Sequence, residues 1–131
     1  MGTEIVRSRL YYMWKDTLCT KIEIMGNLDI RFTNYVDDWL MCAFGRSDYA
    51  TVRDYESFLE DRCFPRTRDN CDELLACIGL KHYSPIDIIM VTHGVQHDDH
   101  FWIRFDGQED LTWERISREC NWRGCLFRNS N

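Results

Sequence analysis

The sequence predicts an α+β fold, in which a small antiparallel sheet is packed on one side by three or four helices. Polar and apolar residues alternate in the first third of the chain, as a half-buried strand requires. The middle of the chain changes to apolar steps of three and four residues, which is the spacing of amphipathic helices. The sheet is predicted to combine an N-terminal hairpin with a strand near 101–105. A length of 131 residues fits a single domain, 1–131.

The predicted strands begin with the aromatic, β-prone segment from Leu10 to Trp14. Segments 20–25 and 28–34 are predicted to pair as a hairpin, because Gly26-Asn27 supplies a turn between them. Alternation within this hairpin directs one set of apolar side chains toward a core: Ile22, Ile24, Leu28, Ile30 and Phe32.

Two helices are predicted in the middle of the chain. Thr51 is a suitable N-cap for the first, which Pro65 ends, and Thr67 is predicted to cap the second. Gly79 lies where the glycine after a helix is expected. The apolar positions that share a face are Val52, Tyr55, Phe58, Leu59 and Cys63 in the first helix and Cys71, Leu74, Leu75 and Ile78 in the second.

A third helix is predicted to run from an N-cap at Ser84 to His93. Pro85 suits the first helical position, and Asp87 supplies the acidic half of a start that resembles a capping box. Gly94 is predicted to stop this helix.

The last predicted elements follow a polar turn. A strand is predicted over 101–105 and closes at Asp106-Gly107. Thr112 is predicted to cap a short final helix, and residues 121–131 are predicted to form an irregular tail.

The net charge of −6 is unevenly distributed along the chain. Residues 36–110 carry seven basic and sixteen acidic side chains, which gives −9 for this part of the chain. An acidic centre repels phosphate and suits a basic protein surface, so a general nucleic-acid-binding function is not favoured. The alternative is a solvated acidic face that maintains solubility.

The cysteine content and the absence of long apolar segments predict a cytoplasmic protein. Arg7, Arg9 and Lys15 interrupt the first residues, so no secretory signal is expected there. Seven cysteines without an export signal indicate free thiols in a reducing compartment. No window approaches the roughly 20 apolar residues that a membrane span needs.

Three histidines, His93, His97 and His100, have the spacing of metal ligands. Gly94 is expected to break the helix that would place His93 and His97 on one face, and the cysteines form no CxxC pair. The cysteines are therefore predicted to be small core residues with a few exposed thiols. No metal and no cofactor is predicted.

Catalysis is not predicted either. A Cys–His pair would need a lowered thiol pKa and hydrogen-bond contact, and the sequence indicates neither. The adjacent acids Asp98 and Asp99 are more typical of turn capping than of acid–base chemistry, and no segment resembles a Gly-rich phosphate loop. A metal- or thiol-dependent enzyme is kept as a third hypothesis.

Three arginines surround Pro65 at the predicted junction of the first two helices: Arg62, Arg66 and Arg68. Guanidinium groups in such a cluster bind phosphate or clamp carboxylates through two parallel hydrogen bonds. The neighbouring acids favour the structural alternative, in which Arg62 ties the junction to the acidic turn at Asp98–Asp99.

Residues 58–80 and 84–105 together resemble a small module of bacterial proteins and mobile elements. In that module a junction of the form (E)xRxxPxxR and a pair of helices lead to a strand of the form (T/S)xGxxxxDxxW. The residues that carry the resemblance are Arg62, Pro65, Arg68, Thr92, Gly94, Asp99, Trp102 and Ile103. Similar sequence precedes the kinase-like domain in some HipA-like toxin proteins. The resemblance implies that these residues define a fold in which Arg62 and Asp99 pair, and since no kinase motif is present it implies no phosphotransfer.

Acidic composition and the resemblance to mobile-element modules favour a non-catalytic binding protein of a phage or mobile element. The concrete hypothesis is an anti-CRISPR-like inhibitor of a bacterial defence nuclease. The basic nucleic-acid-binding surface of that partner would bind an acidic, aromatic surface of this chain. The predicted partner-binding residues are Asp37, Asp38, Trp39, Phe44, Asp48, Tyr49, Asp54, Tyr55 and Glu56.

The alternative is a nucleic-acid-binding regulator or a toxin–antitoxin component. It would bind DNA or RNA through the three arginines around Pro65 and through the basic C-terminal tail. The arginines of that tail are Arg115, Arg118, Arg123 and Arg128. Binding of this kind would weaken steeply as the salt concentration rises.

Overall fold

A four-stranded antiparallel sheet forms the centre of the structure, a computed structural model that describes residues 5–96 and 99–119. Its strands are β1 (Val6–Trp14), β2 (Thr17–Met25), β3 (Ile30–Asn34) and β4 (Phe101–Phe105), in the order β3-β2-β1-β4. Within the described residues the helices are α1 (Val52–Asp61), α2 (Cys71–Cys77), α3 (Pro85–Thr92) and α4 (Trp113–Glu119). The predicted α+β fold is confirmed.

β1 is one of the two central strands of the sheet, and it pairs with β2 on one side and with β4 on the other. It is longer than the predicted segment from Leu10 to Trp14. A two-residue connection, Lys15-Asp16, joins it to β2, and Lys15 takes a φ of 51° there. The indole Nε1 of Trp102 donates a 2.6 Å hydrogen bond to the Lys15 carbonyl, which fastens this turn to β4.

The predicted hairpin forms between β2 and β3, with Ile22 opposite Phe32 and Ile24 opposite Ile30. Ile22 and Ile24 are buried, and Ile30 and Phe32 are half-buried against the same core. The predicted register is therefore confirmed for these four side chains.

Leu28 does not follow the predicted register. It lies in the turn with a φ of 70°, and its side chain is 49% exposed. The Asn27 carboxamide accepts a hydrogen bond from the Asp29 backbone N–H at 3.0 Å, and the Leu28 N–H donates to the Met25 carbonyl at 2.9 Å. These local bonds extend the turn by two residues, so β3 begins at Ile30 rather than at residue 28.

The start of α1 is the most strongly capped helix end in the described chain. The Thr51 hydroxyl accepts a hydrogen bond from the Asp54 N–H at 3.1 Å, and the Asp54 carboxylate accepts one from the Thr51 N–H at 2.9 Å. This reciprocal pair is a capping box, which confirms the predicted N-cap at Thr51. Ser84 is the N-cap residue of α3 and Pro85 opens the helix, as predicted, but the Ser84 side chain makes no capping hydrogen bond, so the capping-box part of that prediction is wrong.

α2 begins later than predicted. Asn70, rather than Thr67, is its N-cap, and the residues before it form turns in which the Arg68 N–H donates to the Pro65 carbonyl. The predicted end is confirmed: Gly79 takes a φ of 81°, and the Leu80 N–H donates to the Leu75 carbonyl at 2.8 Å. This bond belongs to the Schellman arrangement that a glycine after a helix allows.

α3 ends at Thr92, one residue earlier than predicted. His93 itself takes the left-handed conformation, with a φ of 56°, and Gly94 follows it with a φ of 67°. Two successive residues of positive φ reverse the chain and direct it toward β4.

The two faces of the sheet are both covered, which corrects the prediction of helices on one side. Leu10, Tyr12 and Ile103 face the larger core, which α1, α2 and α3 complete. The alternating residues Met13 and Trp102 belong to a second cluster on the other face.

α4 supplies the helical side of that second cluster. Ile116 is 1% exposed and packs with Val95 and Trp102, and Trp113 is partly buried beside them. Thr112 caps α4 as predicted, since its hydroxyl accepts a hydrogen bond from the Arg115 N–H at 3.4 Å. The predicted irregular tail, 121–131, lies outside the described residues.

The five cysteines that the structure describes, Cys19, Cys42, Cys63, Cys71 and Cys77, are all free thiols. Of the helices in the described residues, none combines the length and the apolar composition needed to cross a membrane.

Candidate functional site

The long segment between β3 and α1, residues 35–50, carries most of the predicted partner-binding residues. Asp37, Asp38 and Asp48 are exposed, and so are the rings of Trp39 and Tyr49, which are 43% and 75% exposed. Leu40, which the sequence analysis did not select, is 69% exposed beside them. Large aromatic and aliphatic side chains in this position are typical of contact surfaces.

The segment has a local turn and a hydrogen bond to the sheet. The Asp38 carboxylate accepts a hydrogen bond from the Leu40 N–H at 3.0 Å and starts the 3₁₀ turn Trp39–Met41. The Ala43 N–H donates to the Thr20 hydroxyl of β2 at 3.1 Å. The exposed side chains are therefore presented by a loop that is bonded to the sheet.

Phe44 and Tyr55, two of the predicted contact residues, face inward. The Phe44 ring centroid lies 4.9 Å from that of Phe32 and 5.8 Å from that of Phe58, and both side chains pack against the larger core. Burial raises the pKa of Tyr55 to about 12. Both rings are therefore half-buried rather than fully exposed, and each also lines a cavity beside α1.

A shallow cavity of about 170 Å³ lies where the segment meets α1. Tyr49, Asp54 and Asp61 line it together with the inward-facing Phe44 and Phe58. Asp61 therefore belongs with the predicted residues, whereas Glu56 lines a different cavity on the other flank of α1. Asp54 and Asp61 lie on one side of α1 and Glu56 lies on another, because positions 54, 57, 58 and 61 share a face that differs from the face of 52, 55, 56 and 59.

We call the combined set of exposed residues the acidic surface. Its members are Asp37, Asp38, Trp39, Leu40, Asp48, Tyr49, Asp54 and Asp61.

Among the described residues, no cation pairs with any of the five carboxylates of the acidic surface. Arg46 lies over the Trp39 ring at 4.5 Å from its centroid. Hydrogen bonds from the Thr51 backbone and hydroxyl hold the pKa of Asp54 below its ordinary value, so this carboxylate is ionised at neutral pH.

Arg62, the first arginine of the basic cluster, has a structural role. It is 6% exposed, and its guanidinium donates to both Asp99 oxygens at 2.8 and 3.0 Å. The same group donates to the Gly94 carbonyl at 2.7 and 3.0 Å and to the Phe101 carbonyl at 2.9 Å. The pairing of Arg62 with Asp99 that the sequence predicts is therefore present.

Asp99 and Gly94 are adapted to this arginine. Burial raises the pKa of Asp99, but the hydrogen bonds and the positive charge of Arg62 outweigh it and bring that pKa below its ordinary value. A Cβ atom at Gly94 would lie 3.1 Å from the Arg62 Cβ, on a residue whose φ is 67°. A glycine is therefore needed at the point where the chain crosses the arginine.

The other residues of the resemblance also lie in the interior or at its margin. Thr92 is 1% exposed and accepts a hydrogen bond from the Gly94 N–H, and Trp102 is fully buried. Pro65 is exposed at the junction, and Arg68 donates to the Asn70 side chain at 3.0 Å. These contacts support the role in defining the fold that the sequence analysis gave them.

Arg66 is the most accessible arginine of the cluster, and it is already engaged. Its guanidinium lies 3.4 Å from a Glu60 oxygen and 4.5 Å from the centroid of the Tyr83 ring. With Arg62 buried, the cluster does not form the continuous basic surface that the nucleic-acid alternative requires.

His93 is a structural residue. Its Nδ1 donates a 2.7 Å hydrogen bond to the Ile103 carbonyl, and the Ile103 N–H donates to the His93 carbonyl at 2.7 Å. Burial lowers the pKa of His93. Within the described part of the chain, no group of three His, Cys, Asp or Glu side chains is arranged to hold a metal, and His97 lies outside that part.

Three of the described thiols are not activated. Burial raises the pKa of Cys19, of Cys42 and, to about 12, of Cys63. A thiol with a raised pKa is protonated at neutral pH and is a poor nucleophile.

No family model, no curated protein and no solved structure matches this chain. The resemblance to the module that precedes the kinase-like domain of HipA-like toxins therefore stays a prediction.

Proposed function

We propose that this protein is a non-catalytic binding protein, and that its acidic surface contacts a basic surface of a partner protein. The observation that supports the proposal is the set of five exposed carboxylates without a paired cation in the described residues, next to exposed Trp39, Leu40 and Tyr49. Aromatic anchors surrounded by charge are a common composition for the centre and rim of an interface.

The proposed partner is a bacterial defence nuclease, and the proposed effect is inhibition of the anti-CRISPR type. A nuclease channel that binds nucleic acid must be rich in Lys and Arg, and a fixed array of carboxylates is complementary to it. The chain would then come from a phage or another mobile element, where such an inhibitor has a use.

A cleavage assay with a panel of purified RNA-guided nucleases tests this proposal. The test variant is Asp37→Asn/Asp48→Asn/Asp61→Asn, whose three carboxylates accept no hydrogen bond from a described residue. The matched control is Asp69→Asn/Asp87→Asn/Asp110→Asn, which changes the net charge equally at exposed positions outside the acidic surface.

The wild-type protein is expected to inhibit at least one nuclease. The test variant should weaken inhibition by about tenfold or more, chiefly through slower association, and the control variant should retain it. Equal loss in both variants would indicate a general charge effect rather than a surface. Absence of inhibition across the panel would contradict the nuclease as the partner.

A further inference from the structure

A cavity lies on the other flank of α1 from the acidic surface. Its volume is about 460 Å³, and it opens between the start of β1, the β2–β3 turn, α1 and the start of α3. Ile24 and Leu59, which are 7% and 4% exposed, are part of its floor, and Ile30 and Ile86 are half-buried in its walls. This volume lies within the range of about 300–1,000 Å³ that ligand sites occupy.

Two apolar side chains extend the floor outward onto the surface. Leu28 is 49% exposed and Val52 is 40% exposed, and both line the cavity. Leu28 and Val52 form the two lips of the cavity, and a small molecule enclosed by the cavity would leave both side chains in water. An occupant that is larger than the cavity would cover them, which favours a segment of a protein over a free small molecule.

The backbone of Leu28 adds an independent reason to regard the lip as functional. Its φ of 70° lies in the left-handed region, which disfavours a bulky aliphatic side chain such as leucine. The strain lowers the stability of the fold, and about half of the side chain stays in water. Strained positions of this kind concentrate at sites of binding.

Four charged residues line the cavity, and two of them are available to an occupant. Arg66 and Glu60 are not, because they pair with each other at 3.4 Å. Arg7 on β1 and Glu56 on α1 also line the cavity, and neither forms an ion pair within the described residues. The rim therefore presents one free positive and one free negative charge on two different walls.

We propose that this cavity receives a short segment of the partner protein, with an apolar side chain in the cavity and one basic and one acidic residue beside it. The basic residue pairs with Glu56 and the acidic residue pairs with Arg7. The inference rests on the proposed function, because it requires the same partner to contact α1 on both of its exposed sides. The acidic surface provides attraction at a distance, and the cavity provides an apolar anchor.

A peptide titration that is monitored by NMR of isotope-labelled methyl groups tests directly, without the partner, whether the cavity binds such a segment. The probe is a blocked tripeptide of lysine, phenylalanine and glutamate. The matched probes replace phenylalanine with serine, or replace both charged residues with serine. The methyl groups to follow are those of Ile24, Ile30 and Ile86 inside the cavity, with buried Met13 of the second cluster, on the other face of the sheet, as the reference.

The phenylalanine tripeptide is expected to shift the three isoleucine methyl groups saturably, with a Kd of about 1 mM, as suits one apolar anchor. The peptide without phenylalanine should not shift them, and the peptide without charges should bind less tightly. No shift of these methyl groups would overturn the inference. Shifts with n-octanol but with none of the peptides would also overturn it, in favour of a small apolar ligand.

Leu28→Gly separates binding from folding. Glycine accepts the φ of Leu28 without strain, so the melting temperature should stay the same or rise, while the tripeptide Kd should increase by about fivefold. Met90→Ser, outside the cavity, should change neither quantity. A tripeptide Kd that is unchanged in Leu28→Gly would contradict the role of this lip.

The two proposals fail separately. If the tripeptide does not bind but the acidic-surface variant still loses nuclease inhibition, only the cavity inference is wrong. If the tripeptide binds and the acidic-surface variant inhibits normally, the cavity stands and the acidic surface does not.

Discussion

Arg62 holds together parts of the chain that lie more than thirty residues apart, through five hydrogen bonds to Gly94, Asp99 and Phe101. The three accepting residues come from the end of α3, the following turn and the first position of β4. A single planar group with donors in fixed directions can satisfy all of them, and an ammonium group cannot.

Arg62→Lys is therefore expected to destabilise the protein strongly. An ammonium group cannot reach all of these acceptors, so buried acceptors lose a donor around a side chain that is 7% exposed, and we expect a loss of about 1–3 kcal/mol in the free energy of unfolding. Urea denaturation followed by circular dichroism measures it. Arg66→Lys is the control, because its pair with Glu60 is exposed and the change should stay within about 0.5 kcal/mol. Similar losses in the two variants would contradict this account.

His93 gives the stability a pH dependence of defined sign. Burial lowers its pKa in the folded protein, so the unfolded chain binds a proton first as the pH falls below about 6.5. Stability should be complete above that pH and should decrease as the pH falls toward the lower, folded-state pKa. The decrease should be visible above the range in which carboxylates titrate.

His93→Asn tests this origin of the pH dependence. Asparagine tolerates the left-handed conformation and retains a donor for the Ile103 carbonyl, but it does not titrate. The decrease in stability between pH 7 and pH 5 should shrink in this variant and persist in His82→Asn, which changes an exposed histidine. An unaltered pH profile in His93→Asn would assign the effect to other groups.

For the helices, the sequence correctly predicted those starts and ends that residues close in sequence determine. The cap at Thr51 and the glycine end at Gly79 depend on residues within one turn of the helix, and both predictions are confirmed. Thr67 and Asn70 are both acceptable caps, and only the turns after Pro65 place the helix start at Cys71. Local pattern does not contain that information.

The side of the sheet that a helix covers is a second quantity that periodicity cannot supply. The spacing of apolar residues shows which residues of α4 share a face, but both faces of the sheet offer apolar rows. Trp102 and Ile103 are adjacent and both fully buried, which is possible only when both faces are covered. The apolar run 101–105 therefore held the signal that would have placed α4 correctly.

Thr51 and Ser84 are both N-cap residues, so substituting each of them measures how much a capping hydrogen bond contributes to the free energy of unfolding. Thr51→Ala removes the hydroxyl that bonds to the Asp54 N–H and should cost about 1 kcal/mol in the free energy of unfolding. Ser84→Ala removes a hydroxyl that makes no capping bond, so its effect should be close to zero. Chemical denaturation of the two variants measures the difference, and equal effects would show that the capping box contributes nothing.

For the molecule as a whole, the candidate site was predictable in composition and only partly in arrangement. The acidic content of residues 36–61 is a property of the sequence, and the exposed positions of Asp37, Trp39 and Tyr49 agree with it. Phe44 and Tyr55 are half-buried against the core, which was not predicted because aromatic content does not distinguish a ring that anchors a partner from one that fills the core. The cavity beside Leu28 was not foreseen, since it is formed by four elements that meet only in the folded chain.

Both faces of the sheet share the same strands, so the two clusters should unfold together. Met13 and Tyr12 are neighbours on β1 and belong to different clusters, and β4 alternates in the same way. Loss of either cluster exposes apolar residues on strands that the other cluster needs. We therefore expect a single cooperative transition, with coincident curves for tryptophan fluorescence and far-ultraviolet circular dichroism.

Ile116→Ala tests this coupling from the smaller cluster. The side chain is 1% exposed among Met13, Val95 and Trp102, so its removal should cost about 2–5 kcal/mol. Because the clusters are coupled, the whole transition should move to lower denaturant concentration without splitting, and Met90→Ala on the exposed side of α3 should leave it in place. Two separate transitions in Ile116→Ala would show that α4 and its cluster form an independent unit, and the sheet would then be stabilised mainly from the side of α1, α2 and α3.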